Sequence, residues 1–304
     1  MAITAKDVAE LRAKTGIGMM ECKKALTEAN GDMEEAIKIL REKGMAVADK
    51  KASRIAAEGV VSIYAEGTKT AMIEVNSETD FVAKNAAFQE FVNGLLKTII
   101  ATGVADVEAL LAAKFIGEDR TVDEVLKEQI FKIGEKLTIR RFVVVDGISS
   151  SYVHGGGAIG VIVNGDASAD NDEVHAILKN VCLQIAAMEP EYLNRNEVPA
   201  NVVEEEKGII LEQMKNDPKM AGKPEKVLDG IVMGKIGKFY SKVCLLEQEY
   251  VKDEALTVEK YVATAAKEAG VECAVKGFVI YKKGEGLQKR EDNLGDEIAK
   301  MLNK

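Results

Sequence analysis

Gly155, Gly157 and Gly160 match Gly-x-Gly-x-x-Gly, a spacing that lets a backbone turn cradle a pyrophosphate when a helix follows it. Here Gly160 is followed by Val161-Ile162-Val163 and then Asn164-Gly165, which reads as a strand. Without a helix N-terminus to hold the phosphates, the triplet reads as a hairpin turn. There is no G-x-x-x-x-G-K-[ST] loop. The two histidines, His154 in the turn and His175 on a helical segment, suggest neither a metal triad nor a Ser-His-Asp arrangement. Cys22, Cys182, Cys244 and Cys273 form no C-x-x-C, so they read as reduced and packed thiols. The 50 Asp plus Glu residues are scattered and mark out no acid–base pair. No cofactor and no covalent catalysis are expected. What remains are side chains that act by contact. Asp80-Phe81 falls at a corner between a hairpin and a helix, where Phe81 either staples its own helix or is presented outward. Met19-Met20 opens a helix, where methionines serve as core filler or as an adaptable binding surface.

The elements that position these residues follow from periodicity and caps. Thr4 with Asp7, and Asp32 with Glu35, have capping-box spacing. They frame three short helices, the second with an inward stripe at Cys22, Ala25, Leu26 and Ala29, the third stopped by Gly44. Met45 to Ala57 reads as a helical linker. From Gly59 the period becomes two: Val61, Ile63 and Ala65, a turn at Glu66-Gly67-Thr68, then Ala71, Ile73 and Val75. A helix from about Asn85 to Ile100 follows, with Phe88, Phe91, Val92, Leu95 and Ile99 on one face. The strand–strand–helix unit returns at Ser150 to His154, Ile159 to Val163 and a helix facing inward with Val174, Ile177, Leu178, Val181 and Ile185. Between the copies lie a helix opened by Thr121 and Glu124 and a strand from about Leu137 to Val145. Pro190, Pro199, Pro218 and Pro224 bracket an inserted antiparallel helical hairpin at about 201–240. A strand near Val243 and Leu245, a helix with Val258 and Tyr261, a strand around Val275 to Tyr281 and a terminal helix with Leu294, Ile298 and Met301 close the chain.

The class is therefore α+β, with antiparallel sheets. Its expected parts are a three-helix bundle with linker at 1–54, a first core subdomain at 55–147 and a second at 148–304 that contains the hairpin and a terminal helix at about 292–303. The 304 residues fit roughly two domains at about 150 residues each. No apolar run approaches the ~18 residues of a membrane span, and no leader is signalled, so a cytoplasmic location is expected. The net charge of −9 disfavours a nucleic-acid partner, although the first 55 residues are mildly basic.

Four segments carry a resemblance: TGIGMMECKKALTEANGD from Thr15, ETDFVAKNAAFQEF from Glu78, KIGEKLTIRR from Lys132 and YVHGGGAIGV from Tyr152. In this order, over essentially the full length, the chain resembles bacterial elongation factor Ts. The resemblance implies a guanine-nucleotide exchange factor for elongation factor Tu, with a head similar to a ubiquitin-associated domain and no covalent step. It implies that Thr79, Asp80, Phe81 and Val82 displace Mg²⁺ from the partner's nucleotide site, with Phe81 as a wedge. It further implies that Met19 and Met20, Ile133 and Gly134, and His154 touch the partner, and that the hairpin, similar to the family's coiled-coil element, can mediate a homodimer. The competing reading is a ubiquitin-type adaptor that uses the head alone, a role needing neither the TDFV corner nor the doubled body.

Overall fold

In the computed structural model the described residues are 3–220 and 223–288, and they form a mixed α+β fold with antiparallel strand pairs. The expected terminal helix at Leu294, Ile298 and Met301 lies outside the described residues. Contacts divide the chain into two compact units. The first contains residues up to Val144, Gly155–Ala158 and residues from Tyr281, and the second contains Val145–His154 and Ile159–Ile280.

The first unit opens with α1 (Ala5–Thr15), α2 (Met19–Glu28) and α3 (Met33–Lys51). Thr4 and Asp7 make both bonds of a capping box, and Gly16 ends α1 at φ +69°, a conformation that costs glycine little. Val8, Leu11, Cys22, Leu26, Ala36 and Leu40 are the buried stripe of these helices. Gly44 does not stop the third helix. It is a buried interior residue of α3 packed beside Phe131, where a Cβ would make ordinary van der Waals contact at 3.6 Å, and it does not adopt the left-handed conformation of a helix stop. The helix continues to Lys51, which shortens the expected linker.

Strands β1 (Glu58–Glu66) and β2 (Lys69–Ser77) pair antiparallel across a two-residue loop in which Gly67 has φ +60°. With β3 (Thr138–Asp146) they make a sheet in the order β1-β2-β3. Between β2 and β3 come α4 (Asp80–Ala83), α5 (Ala86–Thr102), α6 (Val107–Ala112) and α7 (Val122–Ile133). Helix α5 packs on the sheet through Phe88, Phe91, Val92, Leu95 and Ile99, each fully buried apolar side chain contributing about 1.5–3 kcal/mol. Helix α6, which the periodicity did not reveal, is capped by Asp106.

A charge on β2 lies inside this unit. Glu74 on β2 is fully buried and accepts from Arg140 at 2.9 Å, Arg141 at 2.7 Å, Asn76 at 3.2 Å and the Gly284 N–H at 2.8 Å. Burial pushes its pKa up, but the Gly284 N–H and the two guanidiniums outweigh that and hold the carboxyl below its ordinary value. Gly284 has no room for a side chain, since a Cβ would fall 2.3 Å from the Ala57 carbonyl oxygen. On β1, the Val61 N–H donates to the Gly157 carbonyl at 2.8 Å.

The second unit repeats the arrangement. Strands β4 (Ser149–His154) and β5 (Ile159–Ala167) pair antiparallel and α8 (Asp172–Met188) packs on them through Val174, Ile177, Leu178, Val181 and Ile185. After α9 (Ala200–Lys215) and α10 (Glu225–Val243) come β6 (Glu249–Tyr250), β7 (Asp253–Thr257), α11 (Val258–Ala269) and β8 (Cys273–Lys282), which completes the order β4-β5-β8. Pro199 and Pro224 stand immediately before α9 and α10, whose buried contact is Ile210, Met214 and Ile236. The expected strand near Val243 and Leu245 is not formed. The Cys244 N–H bonds to the Tyr240 carbonyl at 2.8 Å, which keeps Val243 in α10, and Leu245–Glu247 is a 3-10 turn. Among the described residues no helix is long and apolar enough to cross a membrane.

Candidate functional site: an aromatic corner and its surroundings

The corner after β2 separates two neighbouring apolar side chains. Val82 and Ala83 turn into the core beside Phe88, whereas Phe81 is 79% exposed. The opposition follows from the single turn of α4, in which the Lys84 N–H bonds to the Phe81 carbonyl and the Asn85 N–H to the Val82 carbonyl. Asn85 then caps α5, accepting from the Ala87 and Phe88 N–H groups. Asp80 sits at the start of α4 and pairs with Lys84 at 2.8 Å, a bond that holds its carboxyl below the ordinary range. Anchored by Val82, the turn presents its aromatic ring to solvent.

Thr79 is the N-terminal flank of α4 but does not cap it with its side chain. Its hydroxyl donates to Glu135 Oε1 at 2.7 Å and its N–H donates to Glu135 Oε2 at 2.9 Å. Glu78 accepts the Lys136 N–H at 2.6 Å and faces Arg54 at 3.3 Å. These bonds join the corner to the loop after α7, where Ile133 is the half-buried last residue of the helix and Gly134 is its left-handed cap at φ +81°. Lys51, at the end of α3, donates to the Gly134 carbonyl. The structure thus brings Thr79–Val82 and Ile133–Gly134 together. A cleft of about 700 Å³ beside them is lined by Phe81, Val82, Phe91, Phe115 and Ile133, and by Gly16 at the end of α1.

Met19 and Met20 are 45% and 66% exposed at the start of α2, whose flanking Gly18 supplies no side-chain cap. They therefore add surface, not core. His154 lies in the second unit, exposed at the end of β4, with its Nδ1 3.0 Å from the Tyr152 hydroxyl. Gly155, Gly156 and Gly157 all have positive φ and turn the chain from β4 into β5, so the glycine triplet is a hairpin turn.

Two features escaped the sequence. Glu78 and Glu135 lie within segments already quoted, but the bonds of Glu78 to Lys136 and of Glu135 to Thr79 cross a separation that no local period could reveal. Ser150, His175 and Asp170 also meet: the Ser150 Oγ is 3.2 Å from His175 Nδ1, and Asp170 is 2.7 Å from His175 Nε2. The Ser150 hydroxyl donates to the His175 carbonyl at 3.1 Å, so this trio braces the entrance of α8. Among the described residues no group of three or more His, Cys, Asp or Glu is arranged to hold a metal ion.

Comparison with known proteins adds a lineage to this geometry. A family model described as Elongation factor TS matches residues 78–285. Elongation factor Ts of Syntrophotalea carbinolica is 51% identical over 305 residues, spanning 99% of both chains. Elongation factor Ts of Clostridium botulinum strain Alaska E43 is 46% identical over 99% of this chain and 100% of its own, and that of Clostridium kluyveri is 44% identical over 99% of each.

Proposed function

The chain belongs to the elongation factor Ts family, and from that premise we propose that it acts in the cytoplasm as the guanine-nucleotide exchange factor of elongation factor Tu. It binds the GDP form, promotes GDP release through a nucleotide-free complex and yields to GTP. No bond is made or broken in the partner or the nucleotide. Thr79, Asp80, Phe81 and Val82 displace Mg²⁺ from the partner's nucleotide site, and Phe81 is the wedge. The observation that carries this reading is the exposure of Phe81, an aromatic ring held outward beside an acid while its neighbour Val82 is anchored inside.

The energetics are adequate. Burial of one Phe in the partner contributes about 1.5–3 kcal/mol. That energy favours the loosened partner only if the ring's pocket exists in that state. With Mg²⁺ dislodged, the diphosphate is less neutralised and GDP leaves sooner. Reciprocity then applies: the factor by which this chain weakens GDP binding is the factor by which GDP weakens binding of this chain, so GTP rebinding releases it.

Met19, Met20, Ile133, Gly134 and His154 are the remaining partner contacts in this reading. Their support is exposure at Met19, Met20 and His154, and adjacency of Ile133 and Gly134 to the aromatic corner. Residues 1–54 form a head similar to a ubiquitin-associated domain, 55–147 and 148–304 are the two core subdomains, and the α9–α10 pair is the coiled-coil-like hairpin through which two copies can associate. Exposed Ile209, Leu211, Val227 and Met233 on that pair support the last point.

The test is Phe81→Ala in a stopped-flow assay of fluorescent GDP release from elongation factor Tu. The ring is mostly in solvent, so the fold should keep its stability to within about 0.5 kcal/mol. Stimulated release should slow by at least about tenfold, which is the loss of roughly 1.4 kcal/mol from a burial of this size. Release at the wild-type rate would remove the wedge from the mechanism.

A further inference from the structure

The single turn that sends Phe81 outward does not hold itself in place. Helix α4 has four residues, and a single turn is not stable in isolation. Its flanking residue, Thr79, has an extended backbone at φ −130° and ψ +157°, and all three of its polar groups are bonded outside α4. The N–H and hydroxyl both donate to Glu135, at 2.9 and 2.7 Å, and the carbonyl accepts from the Ser77 hydroxyl at 2.8 Å. A carboxylate gripping one residue through two parallel bonds fixes orientation as well as distance. The grip is reciprocated: Glu78, the preceding residue, accepts the N–H of Lys136, the residue after Glu135. Lys136 in turn donates through its Nζ to the Arg54 carbonyl at 2.8 Å.

We propose that Glu135 is a positioning residue for nucleotide exchange: it grips Thr79 and so aims Phe81 and holds the loop carrying Ile133 and Gly134 in register with it. This rests on the reading of Phe81 as the wedge. Glu135 itself touches no nucleotide and need not touch the partner. Without the grip, Thr79 is free to use its hydroxyl to cap α4, as threonines at that position ordinarily do, and the ring sweeps a wider range of directions. Placement errors of about 1 Å at a contact made only in the activated complex are enough to slow a reaction substantially.

The experiment is a double-mutant cycle in the stopped-flow GDP-release assay, with the full chain and elongation factor Tu. Glu135→Ala should slow stimulated release by about tenfold, in line with the loss of two charge-assisted hydrogen bonds. Glu135→Gln keeps one acceptor oxygen and should recover part of the rate. In the Phe81→Ala background Glu135→Ala should add almost nothing, because a misaimed ring and a missing ring fail alike. A merely structural glutamate would instead give fully additive losses. Additivity, or wild-type release by Glu135→Ala while Phe81→Ala is slow, overturns the assignment. Wild-type release by Phe81→Ala refutes the wedge itself, and the assignment falls with it. If Glu135→Ala does not fold, Glu135→Gln is taken through the same cycle.

Discussion

The two units solve the same packing problem and then diverge at one corner. In each, two antiparallel strands are followed by a seventeen-residue helix with an Asn at its N-cap: Asn85 for α5 and Asn171 for α8. In the second unit the chain passes from β5 to α8 through a short polar segment, and Asp170 folds back onto His175. In the first, the passage is lengthened by the turn of α4, which carries Phe81 outward and is braced from the far side by Glu135. The scaffold is thus indifferent to what is inserted before the helix cap. In the function proposed above, the insertion is what meets the partner, as is common for loops held by rigid elements.

The polar interiors differ as well, and this yields the strongest way to separate the units. Glu74→Ala would leave the Arg140 and Arg141 guanidiniums and the Gly284 N–H facing a void, and should destabilise the first unit by about 3–5 kcal/mol in denaturant unfolding. A loss under about 1 kcal/mol would mean that the cluster contributes no net stability. The glycines provide a smaller contrast. On α5 a Cβ at Gly94 would stand 2.2 Å from the Phe115 ring, whereas on β5 one at Gly165 would meet the flexible end of Leu178 at 2.8 Å. Gly94→Ala should therefore cost about 1–3 kcal/mol and Gly165→Ala clearly less; equal thermal shifts would contradict the stated packing.

The pH response should be the mildest effect and the most discriminating. In the first unit Glu74 is held below its ordinary value of 4.5 by the bonds that overcome its burial, and Glu128 is held low by Lys132 and Arg120 despite its own burial. Both contribute stability that is present above about 4.5 and is lost as the pH falls through their depressed values. In the second unit burial pushes the Cys182 thiol from 9.0 up to about 12 and the Cys244 thiol up to about 11. Their unfolded forms ionise first, so stability there declines as the pH rises above about 9. Limited proteolysis read by peptide mass should find cleavage starting in the first unit in acid and in the second in alkali. The same starting point at both extremes would refute this division.

Much of this was legible in the residues. The capping boxes, the period-two hairpins and the inward stripes of α5 and α8 are local signals, and the elements formed where those signals stood. Gly44 misled because a glycine after an apolar period suits a left-handed stop but is also tolerated inside a helix, and here α3 runs on through it to Lys51. The strand expected at Val243 and Leu245 failed because a short apolar run has no period of its own: Val243 became the last residue of α10 and Leu245 opened a 3-10 turn. At the corner, the residue types of Asp80 and Phe81 raised the right question, while exposure had to come from the fold. Glu135 was invisible because its partner lies on another element.

The first unit is discontinuous in the chain, and this bears on how the protein is made. A ribosome delivers residues in order, yet Val61 on β1 waits for Gly157 and the buried Glu74 waits for Gly284. A nascent chain can therefore pair β1 with β2 early, but the margin of β1 stays open until Gly157 emerges, and Glu74, already met by Arg140 and Arg141, still lacks the Gly284 N–H. Completion of the earlier-synthesised half is thereby tied to arrival of the later one, and a prematurely terminated product lacks the groups that would let it finish folding.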